Sequence, residues 1–415
     1  MEKLYQDAYT LINRSIAANL PQEAVRNALK NHAFTGNLYL VAIGKAAWTM
    51  AQAAKEELGD AVKKGMVITK YGHAEKPIPG LEIIEAGHPL SDENTILGTG
   101  KAIELARGLG KGDELLLLIS GGGSALFEKP LAGIALPDLA ELNKQLLGSG
   151  ADIVEINMIR KRLSAVKAGR FAQLCAPAKV FAVVLSDVLG DRLDSIASGP
   201  AAADLSTAEE ALNVVNKYKL TLNDRIRQYL AQETPKSLDN VESVITGSVR
   251  TLCQSAADNA YALGYTPHIL CSDMNCEARD AGKFIAAIAR NIGSGTNSLK
   301  PPCAVIFGGE TVVHLKGKGK GGRNQELALA AAEGIALMDK TVVFSAGSDG
   351  TDGPTDAAGG IVDGRTVRRL KEKGLKIPDI LDNNDAYYGL EAVNGLIKTG
   401  PTGTNVNDIA VILHG

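Results

Sequence analysis

The sequence predicts an α/β protein of two domains built on parallel sheets, and three observations support this prediction. At 415 residues the chain is too long for one ordinary hydrophobic core. Its 45% hydrophobic and 22% charged residues are typical of a soluble globular protein. Short apolar runs, each followed by glycine or an acid and then by a helical pattern, recur along the chain. Continuous apolar strands alternating with helices indicate parallel sheets covered on both faces.

Five strands of this kind can be followed in order, each with a polar turn at its end. They are residues 38–43 before Gly44 and Lys45, 115–119 before a glycine turn, 180–185 before Asp187, 303–307 before Glu310, and 341–344 before Asp349. Apolar spacing suited to helices that pack on a sheet occurs at 22–31, 46–58, 95–109 and 136–147. Ligands of such sheets bind beyond the carboxyl ends of the strands, so the five turns are interpreted as one site.

The most linker-like stretch is 232–242, which is rich in proline, serine and charge and has no apolar period. We therefore place the boundary there and predict domains at 1–238 and 239–415. A second break at 293–302 leaves an alternative boundary near residue 300.

The net charge, the lengths of the apolar segments and the cysteine spacing restrict the classes of ligand and partner. A net charge of −3 gives no reason to expect nucleic acid or an anionic membrane. No segment reaches the length of a membrane span, and the first residues lack the apolar core of a signal peptide. Five cysteines without CxxC spacing predict neither a disulfide framework nor a zinc site. We expect a cytoplasmic protein with small-molecule ligands; its oligomeric state, a homo-oligomer included, is left open.

Two loops in the second half suggest phosphoryl transfer. Residues 316–326, KGKGKGGRNQE, bring Lys316, Lys318, Lys320 and Arg323 together on a glycine-rich backbone that we expect to be flexible enough to close over a polyanion. Residues 348–356 form an acidic loop suited to a divalent metal. A basic loop and an acidic loop together match the needs of phosphoryl transfer, although either alone is equally well explained as a solvated turn.

The first half adds three polar turns. Lys45 opens a helix, where a cation is electrostatically unfavourable unless an anion binds, and no GxxxxGK[ST] motif is present. The glycine turn, SGGGS at 120–124, allows amides to approach a ligand closely. Asp187 and Asp191 follow a buried strand, where carboxylates hold Mg²⁺ or accept a proton, or else cap a turn.

These loops, taken with their neighbours, closely resemble the glycerate 2-kinase family, the class with the so-called MOFRL domain. The resemblance rests on ISGGGSALFEKP, NMIRKRLSAVKAGR, LSDVLGDRLDSIASGP, GGRNQELALAAA and SAGSDGTDGPTDAAGG, with GHPLSDENT and GTNVNDIAV in support. The motifs run in order over nearly the whole chain. The resemblance implies a Rossmann-like N-terminal domain, a MOFRL-type α/β C-terminal domain, an active site in the cleft between them, and transfer of phosphate from ATP to D-glycerate with Mg²⁺.

The resemblance also guides the assignment of site residues, with the division of roles left open. Lys45 and Arg323 are assigned to the transferred phosphate or the glycerate carboxylate, and either Asp187 or Asp191 to the base for the 2-hydroxyl. Glu310, Asp349 and Asp352 are the expected Mg²⁺ ligands. The groups expected to hold substrate or phosphate are Ser120, Gly121, Gly122, Gly123, Ser124, Asn157, Lys316, Lys318, Lys320, Gly322 and Asn405.

Two other functions compete with a kinase. Relatives of the family have been labelled hydroxypyruvate reductases, but no dinucleotide fingerprint follows any strand and no histidine is well placed as an acid. A non-enzymatic phosphosugar-binding protein would use glycine–serine turns at helix starts, yet it has no use for two acidic loops.

Overall fold

The computed structural model describes residues 1–295 and 298–415. The chain divides into two compact units: the first unit is Pro21–Thr246, and the second unit is Met1–Leu20 with Gly247–Gly415. This differs from the predicted domains at 1–238 and 239–415. The N-terminal helix α1 (Glu2–Ala17) belongs to the second unit, where Asp7 accepts a hydrogen bond of 2.6 Å from Tyr265. An amphipathic helix does not reveal in sequence which sheet it covers, and the linker-like residues before 241 precede the last strand of the first unit.

The first unit is a six-stranded sheet with helices around it. Its strands are β1 (Asn37–Ile43), β2 (Val62–Lys70), β3 (Leu81–Ala86), β4 (Asp113–Ile119), β5 (Lys179–Leu185) and β6 (Val241–Gly247). Its helices are α2 (Pro21–Leu29), α3 (Ala47–Leu58), α4 (Glu93–Arg107), α5 (Gly123–Leu126), α6 (Leu136–Gly148), α7 (Ile153–Arg162), α8 (Arg170–Cys175), α9 (Ala208–Lys217) and α10 (Asp224–Leu230). The four helices predicted here from apolar spacing are confirmed, with ends shifted by up to two residues.

The strand order of this sheet is β3-β2-β1-β4-β5-β6, and the pairs among the first five strands are parallel. This is the Rossmann order, in which the chain reverses direction across the sheet between β1 and β4. Ile43 pairs with Ile119 at that point, so the turns after both strands emerge side by side. Ligands of doubly wound sheets bind at this reversal, because the helices on either side of it diverge.

A separate helical layer lies beside the sheet of the first unit. Helices α6, α7, α9 and α10 share a hydrophobic core of their own, whose members include Leu142, Leu146, Ile159, Val214 and Leu230. The apolar spacing of α6 predicts a helix that packs on the sheet, whereas it packs mainly on other helices.

The second unit contains a mixed sheet. Its strands are β7 (Thr266–Met274), β8 (Cys303–Gly309), β9 (Thr341–Gly347), β10 (Gly359–Asp363), β11 (Leu396–Ile397) and β12 (Asp408–His414). Its remaining helices are α11 (Val249–Ala262), α12 (Ala278–Gly293), α13 (Arg323–Gly334), α14 (Thr366–Glu372), α15 (Ile377–Asp382) and α16 (Ala386–Glu391).

The order in this sheet is β11-β10-β9-β12-β8-β7, and only β7 and β8 pair in parallel. The expectation of a parallel sheet is therefore wrong for this unit. The last strand, β12, lies antiparallel between β8 and β9 and pairs with both along its full length. A central strand buried on both faces is apolar whichever way it runs, so the sequence pattern could not reveal its direction. Helix α13 is buried almost throughout and packs against β9 and β10.

Candidate active site

The turns after β1 and β4 are joined by hydrogen bonds at the reversal point of the first sheet. Ser120 is buried, and its hydroxyl donates to the carbonyl of Ile43 at 3.2 Å and accepts from the amide of Ala46 at 3.1 Å. The amide of Lys45 donates to the carbonyl of Gly121 at 2.9 Å. The hydroxyl of Ser120 is thus committed to the scaffold, and its predicted role in holding phosphate changes to one of fixing the turn that carries Lys45.

The glycine turn presents a row of unused donors. Among the described residues, none accepts a hydrogen bond from the amides of Gly121, Gly122, Gly123 or Ser124. Gly122 adopts φ +82°, a conformation that favours glycine. Unpaired amides in a row form a concave receptor for an anion, because each supplies a partial positive charge without a side chain in the way.

Lys45 and His88 flank this turn. A Cβ atom built at Gly122 would lie 3.0 Å from the ring of His88 and 3.2 Å from Cγ of Lys45. Burial lowers the pKa of His88, and the positive charges of Lys45 and Lys70 lower it further. His88 is therefore held neutral beside Lys45, whose ammonium has no hydrogen-bond acceptor in the parts of the chain at 1–295 and 298–415.

The acidic turn after β5 contacts the glycine turn through the side chain of Asp187. A Cβ atom at Gly121 would overlap the Asp187 carboxylate, so Asp187 lies directly against the glycine turn. Asp191 lies four residues on, in a left-handed conformation with φ +55°. The next acid, Asp194, accepts a hydrogen bond of 3.0 Å from Lys161. Of the two acids proposed as base, Asp187 is the one that the structure brings to the glycine turn.

A buried ion pair between Lys167 and Glu128 is hydrogen-bonded to the end of the glycine turn. The ammonium of Lys167 donates to the carbonyl of Ser124 at 2.8 Å and pairs with the carboxylate of Glu128, and both side chains are buried. Burial lowers the pKa of Lys167, and the charge of Glu128 acts against that effect. Asn157, another predicted binding residue, is half-buried on α7, and no described residue shares a hydrogen bond with its side chain.

In the second unit, Arg323 is held between two carboxylates. Its Nε and Nη2 donate to the two oxygens of Asp408 at 2.5 and 3.1 Å, and Nη1 donates to Glu310 at 2.8 Å. Asp408 is 7% exposed and Arg323 is about one-third exposed. Burial alone would lower the pKa of Arg323, but the hydrogen bond and charge of Asp408 raise it overall. The guanidinium therefore has a fixed orientation before any ligand arrives.

Asp352 caps a helix, which differs from its predicted role as a metal ligand. Its Oδ1 accepts from the amide of Asn324 at 3.1 Å and its Oδ2 from the amide of Gln325 at 2.8 Å, at the first turn of α13. Burial raises the pKa of Asp352 to about 6, although these two amides lower it. With both oxygens turned to the helix and only 3% of the residue exposed, Asp352 does not fit a metal ion.

The other two predicted ligands are more accessible than Asp352, since Glu310 and Asp349 are both half-buried. Glu310 accepts from Asn407 at 3.2 Å as well as from Arg323, and Asp349 accepts from the amide of Thr351 at 3.0 Å. Asp349 and Asp408 lie close together over Gly347, where a Cβ atom would be 3.2 and 3.3 Å from their oxygens. In the chain outside residues 296–297, no three His, Cys, Asp or Glu side chains form a complete metal-binding group.

The lysine loop at 316–322 is fixed rather than flexible. The amides of Lys316 and Gly317 donate to Asn384 at 2.7 and 2.9 Å, and that of Lys320 donates to Asp385 at 2.9 Å. The amides of Lys318 and Gly319 donate to Asn383, at 3.1 and 2.8 Å.

These contacts correct the prediction that the lysine loop offers its backbone to phosphate. The glycines at 317 and 319 allow close approach to the neighbouring turn, because a Cβ atom at either would overlap backbone atoms. The Lys320 ammonium lies 4.2 Å from the centre of the Tyr387 ring, whereas Lys316 and Lys318 are exposed. Gly322 abuts Asp352 at the start of α13, and Asn405 accepts a hydrogen bond of 3.3 Å from the amide of Asn407.

Comparison with known proteins assigns the family. The model described as a domain of unknown function (DUF4147) matches residues 7–231, and the MOFRL family model matches residues 303–408. A Thermotoga maritima protein named D-glycerate 2-kinase is 52% identical over 410 residues, which is 99% of this chain and 98% of that protein. The chain belongs to the glycerate 2-kinase family. A crystal structure titled glycerate kinase, also from Thermotoga maritima, superimposes with a TM-score of 0.96 at 51% identity, covering both chains fully.

Names within the glycerate 2-kinase family are not uniform. A relative from Agrobacterium vitis bears a provisional name as a hydroxypyruvate reductase and is 39% identical over 92% of this chain and the whole of that protein. No helix among the described residues is long and apolar enough to cross a membrane.

Three residues near the candidate site lie inside the sequence motifs but received no role from the sequence alone. Asp408, which holds Arg323, lies inside the GTNVNDIAV motif, and His88 lies inside GHPLSDENT. Glu128 follows the glycine turn in ISGGGSALFEKP. Asp408 is an acid at the start of an apolar strand, and this could have identified it from the sequence. Charged side chains are buried only when they are paired, so such an acid predicts a cationic partner.

Proposed function

We propose that the protein is a glycerate 2-kinase that transfers the γ-phosphoryl group of ATP to the 2-hydroxyl of D-glycerate. The observation that carries the proposal is the row of unused amides at Gly121, Gly122, Gly123 and Ser124 beside the unpaired ammonium of Lys45. A receptor of this kind suits a polyphosphate, and membership of the glycerate 2-kinase family supplies the acceptor.

The residues of the first unit bind phosphate and prepare the hydroxyl. The amides of the glycine turn hold phosphate oxygens, and Lys45 neutralises the charge that spreads over the transferred group. Asp187 accepts the proton of the 2-hydroxyl, since it lies against the turn; Asp191 is the second candidate. His88, neutral beside Lys45, can donate a hydrogen bond to a phosphate oxygen without adding charge.

Arg323, which lies in the second unit, is proposed to bind an anionic group of the substrate. A guanidinium has five N–H groups, and the bonds to Asp408 and Glu310 use three of them. The remaining two form a fork for the glycerate carboxylate or the transferred phosphate. Asp408 and Glu310 therefore position the arginine, and Asn405 is a further candidate for binding the substrate.

Glu310 and Asp349 are the residues that would hold Mg²⁺. Each carboxylate oxygen retains acceptor capacity beyond one hydrogen bond, and Mg²⁺ needs only one or two carboxylates when nucleotide phosphates complete its shell. When bound, Mg²⁺ neutralises charge on the phosphates.

The test is a direct assay of the product. Purified protein is incubated with D-glycerate, ATP and MgCl₂, and the phosphoglycerate is identified by ³¹P and ¹H NMR. We expect 2-phosphoglycerate and ADP, and no turnover in excess chelator. A product phosphorylated at the 3-hydroxyl would contradict the assignment of the acceptor.

A parallel assay with hydroxypyruvate and NADH addresses the competing name within the family. Glycerate-dependent ATP consumption without NADH oxidation is the expected result, because the GxGxxG match at 317–322 does not form the strand–turn–helix of dinucleotide-binding folds. It begins eight residues after the end of β8, and the amides of Gly317 and Gly319 donate to Asn384 and Asn383. NADH oxidation at a rate matching or exceeding ATP consumption would favour the reductase instead.

A further inference from the structure

A cavity of about 300 Å³ lies within the first unit, apart from the residues assigned above to catalysis. It is bounded by residues 89–91, by Glu128 beyond the end of α5, and by one face each of α6 and α7. Its wall is largely apolar and is formed by Pro89, Leu90, Leu136, Pro137, Leu139 and Ala140. Ala140 and Leu90 are exposed, so this apolar surface faces open space rather than a packed core.

Two charged groups at this cavity lack partners for part of their hydrogen-bonding capacity. Glu128 is 4% exposed, and its Oε2 pairs with Lys167, while no described group donates to Oε1. The half-buried guanidinium of Arg160 likewise has no hydrogen-bond acceptor within the described chain. A buried polar atom without a partner destabilises the folded state, because it has lost its hydrogen bonds to water. Such atoms at a cavity indicate a ligand that offers one donor to Glu128 and one acceptor to Arg160.

The cavity adjoins the glycine turn through short hydrogen bonds. Ser91, on its rim, donates to the carbonyl of Ala125 at 2.7 Å, and Lys167 joins Glu128 to the carbonyl of Ser124. Gly123 and Glu128 are five positions apart: α5 rises about 1.5 Å per residue as far as Leu126, and the two residues after it add at most about 3.5 Å each, so the whole span is less than ~12 Å. A nucleotide with phosphates at the turn therefore reaches the cavity with its base.

We infer that this cavity binds the adenine base of ATP, with the exocyclic amine on Glu128 Oε1 and a ring nitrogen on Arg160. The inference rests on the proposed function, which places the phosphates at the glycine turn. Leu136, Leu139 and Leu90 supply the apolar surface that a flat base needs. Guanine fits less well, since it carries a carbonyl oxygen in place of the amine and a ring N–H in place of the N1 acceptor.

The experiment fills the cavity from its open side. Ala140→Trp adds an indole where the base would lie, and Asn213→Trp places the same residue at an exposed position of α9, outside the cavity wall, as a matched control. Isothermal titration calorimetry on the full chain measures the Kd for ATP, adenosine and tripolyphosphate. We expect Ala140→Trp to raise the Kd for ATP and adenosine at least tenfold and to leave that for tripolyphosphate within twofold, with all three values unchanged in Asn213→Trp.

Several results would overturn the inference. They are an unchanged Kd for ATP in Ala140→Trp, equal weakening of ATP and tripolyphosphate, and absence of adenosine binding to the natural protein. Arg160→Met gives a second test that does not crowd the cavity: the preference for ATP over GTP should fall at least fivefold, and an unchanged preference would contradict the contact. A protein that binds adenosine but never phosphorylates D-glycerate would instead refute the proposed function and leave the base site standing.

Discussion

Two glycine-rich loops of this chain look alike in sequence and do opposite things in the structure. The glycine turn at 120–124 presents four amides with no acceptor among the described residues, whereas five consecutive amides of the lysine loop, at 316–320, donate to the turn at 383–385. The first loop leaves its amides available, and the proposal above gives them an anion to bind. The second is a stretch of backbone packed so closely against its neighbour that only glycine fits at alternate positions.

The comparison shows that glycine content does not reveal why glycine is there. Glycine permits left-handed conformations and it permits close approach of two backbones, and the sequence signal is the same for both. What separates the cases is the destination of the N–H groups. The cations follow the same division: Lys45 stands without a partner beside the open turn, while Arg323 is bound by two acids.

The largest effect should come from Lys45→Met. Methionine retains most of the side-chain volume and removes the charge that opposes the developing negative charge on the phosphoryl group. We expect kcat to fall about a hundredfold or more, which corresponds to about 3 kcal/mol of transition-state stabilisation. Thermal melting should change little, because no described residue depends on the ammonium. Steady-state kinetics with a melting control gives the answer, and near-normal kcat would remove Lys45 from the mechanism.

Arg323→Met should differ by damaging stability as well as rate. It leaves the buried Asp408 without its partner, and breaking a buried pair costs about 3–5 kcal/mol; partial exposure of the arginine reduces our expectation to about 2 kcal/mol. Urea unfolding followed by circular dichroism measures the loss.

Arg323→Lys is the matched control for this variant. It should recover part of the stability, since a charge remains near Asp408, and little of the rate, since a point charge cannot replace the fork. Stability equal to the natural protein in Arg323→Met would mean that the two acids do not need the arginine.

The surroundings of the glycine turn and of the lysine loop also show which features could be predicted from the sequence and which could not. Three of the six strands of the first unit, β1, β4 and β5, and the position of Lys45 before a helix were predictable, because apolar runs and a cation at a helix start are local signals. The pairing of Arg323 with Asp408 was not, since the two residues are 85 positions apart and meet only because β12 enters between β8 and β9. The occupied amides of the lysine loop depend in the same way on a turn more than sixty residues downstream.

A pH experiment tests Asp352, the residue that caps α13 next to Arg323. The pKa of Asp352 is raised by burial to about 6, above its ordinary value near 3.8. The folded state therefore holds this proton more tightly than the unfolded state, and the stabilisation, fully present below pH 4, is lost as the pH rises to about 6. We expect the stability difference between the natural protein and Asp352→Asn to shift by on the order of 2 kcal/mol in favour of the variant between pH 4 and 7.

Urea unfolding of both proteins at several pH values separates this effect from the constant cost of a weaker helix cap. A pH-independent difference would mean that Asp352 titrates normally, and its burial against α13 would then need another explanation.

The smallest expected effect bears most directly on the comparison of the loops. Lys316→Ala and Lys318→Ala remove exposed ammonium groups and leave the backbone that supplies the loop's hydrogen bonds. If the loop is structural, each substitution should change stability by no more than about 0.5 kcal/mol and leave the KM for ATP within twofold. If instead the side chains close over phosphate, as the sequence pattern suggests, losing both should raise that KM about tenfold or more, with a strong dependence on salt.

The double lysine variant and Asn384→Ala, each measured at two ionic strengths, distinguish these outcomes. Asn384→Ala frees the amides of Lys316 and Gly317 and should destabilise the loop while both cations remain, so a rise in KM confined to the double lysine variant would show that charge, not backbone order, is what the lysine loop contributes.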